Sequence, residues 1–157
     1  MRSVRLLSMN EIASIPFFND LSDDSLKLLS EMLEVYYYEQ NKYIFKEGEK
    51  QDSMFFILTG SVIVAKNTED GKYKQLAQLD APQVIGEMAL ISPASRSASI
   101  ISISPVTIVR FSCASFEKII KIKPALAVNM LRKAGETVSN RLRKTNIAYI
   151  KAVNDKQ

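Results

Sequence analysis

The sequence predicts a mainly β protein of the α+β class, an antiparallel β roll of jelly-roll kind with a short helix inside it and a long helix at its C-terminal end. Three observations carry that expectation. Between Tyr36 and Ser112, short β-branched and aromatic runs recur at roughly 8–12-residue intervals. Turn signals at Gly48, Gly60 and Asp70-Gly71 separate them. Sustained helical spacing of apolar residues is confined to the two ends of the chain. Short strands in succession, without a helix between each pair, close on one another antiparallel and do not build a parallel sheet.

Each element follows in order. Residues 1–14 read as an N-terminal extension and residues 15–148 as one domain. After Pro16, Ser22 offers an N-cap, with Asp23, Asp24 and Ser25 in the first turn. Leu26, Leu29 and Leu33 then fall at helical spacing, which predicts a helix over 22–34. The roll is placed at 36–112 and contains "KYIFKEGEK", "SMFFILTGSVIVAKN", "EDGKYKQLAQL", "RSASIISIS" and "VTIVRFS". One interruption, "GEMALI" from Gly86, is made of good helix formers and reads as a single short helix between strands. C-terminal helices are expected over 113–148, the long one after Pro124. Its Leu126, Met130, Ala134, Val138 and Leu142 recur every fourth residue, and Gly135 weakens its middle. Residues 149–157 read as a basic tail.

Composition narrows the function. No apolar run in the 157 residues approaches the ~20 needed to span a bilayer. "MRSVRLLSMNEIASI" lacks the apolar length and the cleavage site of a secretory signal, so the cytoplasm is the expected compartment. A single cysteine, Cys113, forms no internal disulfide, and the lack of histidine removes the usual zinc ligand and general base. A histidine-ligated metalloenzyme roll does not fit, and neither an enzyme, a metal nor a catalytic cofactor is expected. Charge is uneven: residues 1–117 hold 11 Lys/Arg against 15 Asp/Glu, whereas residues 118–157 hold 10 against 2. The basic end is either a solvated helical face or a contact for nucleic acid or an acidic partner.

The informative stretch is "VIGEMALISPASRSASI", Val84 to Ile100, where Glu87 and Arg96 stand among apolar and small residues. Amides at the start of a short helix, beside small residues, can receive an anion, and Arg96 adds a fork-shaped, permanently charged partner for a phosphate. Glu87 would repel that phosphate, so it suits a hydroxyl on the same ligand, such as a ribose 2′-OH. The competing reading makes Glu87 a helix-dipole charge and Arg96 its ion-pair partner, with no ligand.

These residues carry a resemblance. Gly86, Glu87, Met88, Ala89 and Leu90, then Arg96, Ser97, Ala98 and Ser99, are similar to the two halves of the phosphate-binding cassette of the cyclic nucleotide-binding domain family. "MFFILTGSVIV" around Gly60 and "YIFKEGEKQDSMF" around Gly48 resemble its strand pair and its earlier turn. The resemblance runs over about residues 15–148. It implies an eight-strand roll that holds cyclic AMP or cyclic GMP. Glu87 would take the ribose 2′-OH and Arg96 the exocyclic phosphate oxygens, with Gly86, Met88, Ala89, Ser97 and Ala98 completing the anion site. Val64, Ala77, Leu79 and Val84 fall where the family lines its pocket with apolar side chains. Ser97 stands where a threonine favours guanine, which tilts the expectation to cyclic AMP. "RLRKTN" resembles the family segment that caps the base, which nominates Thr145 and Asn146. "APQVIGE", with Pro82 and Ile85, and the loop "SPAS" depart from the family pattern.

The implied output is movement of the C-terminal helix. The chain reads as a stand-alone regulatory sensor, or as an excised piece of something larger, without a helix-turn-helix module and acting on a downstream protein that the sequence does not identify. The stripe Leu126, Met130, Val138 and Leu142 suits either packing on the roll or pairing in a homodimer. The alternative function is a nucleotide-independent interaction module that works through the basic helix.

Overall fold

The computed structural model describes residues 3–155. Its elements are β1 (Ser3–Leu6), α1 (Met9–Ala13), a 3-10 turn (Pro16–Phe18), α2 (Asp23–Ser30), β2 (Leu33–Tyr38), β3 (Tyr43–Phe45), β4 (Ser53–Thr59), β5 (Ser61–Asn67), β6 (Tyr73–Asp80) and β7 (Gln83–Ile85). A second 3-10 turn (Glu87–Leu90), β8 (Ser99–Ser102), β9 (Val106–Ser112), α3 (Cys113–Ile122) and α4 (Pro124–Asn154) follow. The strands form two sheets, one in the order β1-β2-β9-β4-β7 and one in the order β3-β8-β5-β6, and every pairing is antiparallel. Strands β2 to β9 make the roll, and β1 adds a strand to its edge.

Three layers result: helices, the five-stranded sheet, then the four-stranded sheet. Side chains alternate along a strand, so a strand in the middle layer must be apolar on both faces. That explains the unbroken "MFFI" of β4. Met54 and Phe56 face the helices with Leu33, Val35, Val109 and Phe111, while Phe55 and Ile57 face the roll interior with Val62, Ile100, Val106 and Ile108. On the helical side, Phe17, Phe18 and Phe56 meet with ring centroids 4.8–5.3 Å apart, and Ile12, Leu29, Phe116, Ile119 and Met130 close the core around them.

Four boundaries differ from the sequence expectation. Ser22 does cap α2, but the helix ends at Ser30 and not at 34. Leu33 opens β2 opposite Phe111, so the roll begins at Leu33 and not at 36. Leu33 lies at helical spacing from Leu29 because helix and strand deliver side chains to the same core. Residues 3–14 are no detached extension, and residues 1 and 2 lie outside the described residues. β1 pairs with β2, and α1 starts at a Ser8/Glu11 capping box and buries Ile12. Nor do residues 149–154 form a separate tail, because α4 runs on to Asn154 through residues that contain neither glycine nor proline; residues 156 and 157 lie outside the described residues. Burial on α4 stops at Ala134, and from Leu142 onward every described residue is exposed.

Candidate functional site

β7 ends at the buried Ile85, and the chain must then reverse to enter the short 3-10 turn. Gly86 makes that reversal in the left-handed region, at φ 67°. A Cβ at this position would also lie 2.5 Å from Arg96 Nη1, so two independent constraints select glycine. Within the turn the Ala89 amide donates to Gly86 O at 3.1 Å, which uses up one of the amides expected for an anion. The Cys113 thiol, at the start of α3, donates to Ala89 O at 3.3 Å and pins the turn against that helix. Burial pushes the Cys113 pKa up and keeps the thiol protonated.

The loop back to β8 is fastened to the turn between β3 and β4. Arg96 N donates to Glu49 O at 2.8 Å and Gly48 N donates to Arg96 O at 2.9 Å. Gln51 Nε2 adds a bond to Ser92 O at 2.7 Å. Arg96 is therefore held at its backbone, and its side chain is 4% exposed. Its guanidinium stacks on Phe45 at 4.1 Å and approaches Phe55 at 5.6 Å; the two rings are themselves stacked at 5.7 Å. Arg96 Nη2 donates to Ser53 O at 2.7 Å, whereas Nε and Nη1 have no partner. Burial lowers this guanidinium's pKa and the Asp52 carboxylate opposes that shift. A buried cation with two unpartnered donor nitrogens leaves hydrogen-bonding capacity that the rest of the chain does not meet.

Glu87 is 3% exposed, and its Oε1 accepts from Arg141 Nη1 of α4. Arg141 Nη2 also donates to Val84 O, so one arginine ties α4 to the carboxylate and to β7. The ion pair that forms is thus Glu87–Arg141, and Arg96 is not part of it.

The expected wall divides. Val64 pairs with Ala77 and Val62 with Leu79 across β5 and β6, which puts all four on one face. Val64 and Leu79 pack on the roll interior, and Ala77 is exposed. Val84 departs from that wall. Its neighbour Ile85 points into the roll, so Val84 faces the helical core and lines an outer cavity of about 390 Å³ with Pro16, Phe56, Leu58 and Thr137. Ser97 is exposed, its carbonyl accepting from Lys66 Nζ at 2.9 Å; Ala98 is half-buried and Met88 exposed. Thr145 and Asn146 lie about one turn beyond Arg141 on the exposed part of α4.

Sequence reasoning missed Arg141, the aromatic seat Phe45/Phe55, the Ser53 carbonyl and Arg110. Arg141 had a signal, since it stands four residues before Thr145 in "RLRKT" and hence on the same helical face. Arg110 on β9 contacts Asp52 (3.2 Å), Ser53 Oγ (3.3 Å) and Glu34 (3.4 Å), beside a cavity of about 380 Å³ shared with Arg96. Partial burial raises the Asp52 pKa, but the Ser53 hydroxyl and the Arg110 and Arg96 charges outweigh it and hold the carboxyl below its ordinary value. Among the described residues no group of acidic, cysteine or histidine side chains could hold a metal ion, and no helix is long and apolar enough to cross a membrane.

The profile described as "Cyclic nucleotide-binding domain" matches residues 35–123. Human cGMP-dependent protein kinase 2 is 37% identical over 94 residues, 59% of this chain and 12% of the kinase. A CRP-like cAMP-activated global transcriptional regulator of Mycobacterium tuberculosis is 25% identical over 139 residues, 88% of this chain and 60% of the regulator. The chain thus spans less than two-thirds of either curated relative. A cyclic nucleotide-binding domain from Methylobacillus flagellatus shares the fold, with a TM-score of 0.78 and 24% identity over 90% of this chain and 79% of that one.

Proposed function

Because the chain belongs to the cyclic nucleotide-binding domain family, we propose that it is a cytoplasmic, non-catalytic sensor that takes cyclic AMP and signals through α4. The observation that carries this reading is Arg96. It is buried and stacked, anchored by one nitrogen to Ser53 O, and left with two nitrogens free. A bidentate site for a phosphate needs that arrangement, and an ordinary structural arginine would be fully paired.

Arg96 receives the exocyclic oxygens, with Ser97, Ala98 and the turn from Gly86 to Ala89 around them. Glu87 accepts the ribose 2′-OH, and Val64, Ala77 and Leu79 offer apolar contact to sugar and base. The relatives' names include one cGMP-dependent and one cAMP-activated protein, so likeness alone does not choose the base. Ser97 in place of threonine supports cyclic AMP, with cyclic GMP the weaker ligand. Thr145 and Asn146 are the base-capping candidates when distal α4 closes.

The switch runs through Glu87. Any ligand hydroxyl that engages this carboxylate acts on the group that tethers Arg141, so ligand and helix position share one contact. Ligand contacts made in one α4 position and not the other shift the population towards that position. Distal α4 leaves Leu142, Tyr149 and Val153 at 59%, 67% and 40% exposure, a stripe suited to a second copy or to the downstream protein.

Competition with a fluorescent cyclic AMP analogue tests the assignment. Arg96→Ala removes two charge-assisted bonds of about 1.5–3 kcal/mol each and should weaken binding at least a hundredfold. Unchanged affinity in that variant contradicts the reading.

A further inference from the structure

A buried guanidinium with unpaired Nε and Nη1 draws any carboxylate within reach. Two carboxylates, Asp52 and Glu49, line the Arg96 cavity, and both are engaged by other donors. Glu49 Oε2 accepts from Lys46 N at 3.0 Å. Asp52 accepts from Ser53 Oγ at 2.6 Å and from Arg110 Nη2 at 3.2 Å. Asp52 is the one of the two that Arg110 holds: it directly precedes Ser53, whose carbonyl binds Arg96 Nη2, and it lines the cavity that Arg96 and Arg110 share.

We propose that Arg110 is a positioning residue for the phosphate site. It holds the Asp52 carboxylate away from Arg96 and so keeps Nε and Nη1 free for the ligand. The geometry suits this task. Arg110 projects from β9 between Glu34 of β2 and Ser53 of β4, and it uses a different nitrogen for each of Asp52, Ser53 and Glu34. Tyr36 Oη donates to the same Glu34 oxygen at 2.7 Å. A lysine presents a single ammonium and cannot span the three partners in that forked way. The inference rests on Arg96 binding a ligand phosphate.

The test is a double-mutant cycle read by calorimetric titration with cyclic AMP on the full chain. Arg110→Met should weaken binding about tenfold, because Asp52 then pairs with Arg96 and must be displaced by the phosphate. Adding Asp52→Asn to Arg110→Met should recover most of that loss, which a merely structural role for Arg110 would not produce. Arg110→Lys should fall between wild type and Arg110→Met, and it serves as the measurable variant if Arg110→Met does not fold. Wild-type affinity in both Arg110 variants, or a further loss on adding Asp52→Asn, overturns the proposal while leaving the nucleotide reading intact. If the unmodified chain binds no cyclic nucleotide, the underlying reading has failed first.

Discussion

Gly86→Ala tests the coupling between turn geometry and anion recognition at one atom. Alanine at φ 67° costs about 1–2 kcal/mol in the left-handed region. Its Cβ would meet Arg96 Nη1 at 2.5 Å. The tip of a long side chain would ordinarily move aside at little cost. Here Nη2 is bound to Ser53 O, the plane lies on Phe45 and the backbone is fixed on both sides, so retreat breaks a charge-assisted bond worth about 1.5–3 kcal/mol. Together these come to roughly 2.5–5 kcal/mol, which for a chain of this size lowers Tm by about 5–20 °C. Binding should fall at least tenfold, because the displaced nitrogen is one of the two left for the phosphate. Differential scanning fluorimetry and calorimetry on the same preparation read both effects. Wild-type Tm together with wild-type affinity would refute the reasoning; a lowered Tm with unchanged affinity would keep the strain argument and remove Arg96 Nη1 from the site.

Gly135→Ala, by contrast, meets nothing within 4 Å in the middle of α4 and should raise stability by about 0.5–1 kcal/mol in urea unfolding; a loss there would show that α4 needs the glycine. Arg141→Met leaves the Glu87 carboxylate buried without its partner and should cost about 1–3 kcal/mol, with faster amide exchange along α4; Glu87→Gln in the same chain should return part of it, and unchanged exchange would remove Arg141 as a tether. Glu11 titrates at about 2, held down first by its bond from Arg5 and then by Ser8, against an ordinary value of 4.5. Its contribution is complete above pH 4.5 and disappears as pH falls from 4.5 towards 2. Carboxyl NMR should show that low midpoint together with loosening of β1 and α1 over the same window, and a midpoint near 4.5 would show that Arg5 and Ser8 do not hold Glu11 in solution.

The fold was legible because its signals are local. Turn glycines, short β-branched runs and a capped first helix each report on a few neighbouring residues, and together they limit the chain to an antiparallel roll. Leu33 misled because helical spacing and core-facing strand spacing coincide at that residue. The cassette around Glu87 and Arg96 was legible as a motif, since the sequence keeps both charges and the glycine together. The support for those charges was not. Phe45 and Ser53 lie 43 or more positions from Arg96, Arg141 lies 54 from Glu87 and Arg110 lies 58 from Asp52, and only strand pairing and the docking of α4 bring them there. Val84 shows the same limit from the other side. Whether a β7 residue faces the roll or the helices depends on register against β4, where Val84 sits opposite Phe56, and one position reverses the answer.

The central claim is that a phosphate and a ribose are read together by Arg96 and Glu87. Calorimetric titration of the chain with cyclic AMP, cyclic GMP and 5′-AMP in parallel tests it most directly. The account predicts micromolar or tighter binding of cyclic AMP, weaker binding of cyclic GMP and no heat with 5′-AMP. The absence of heat and of thermal stabilisation with all three would contradict it and would leave the exposed basic end of α4 as the part of the molecule that acts.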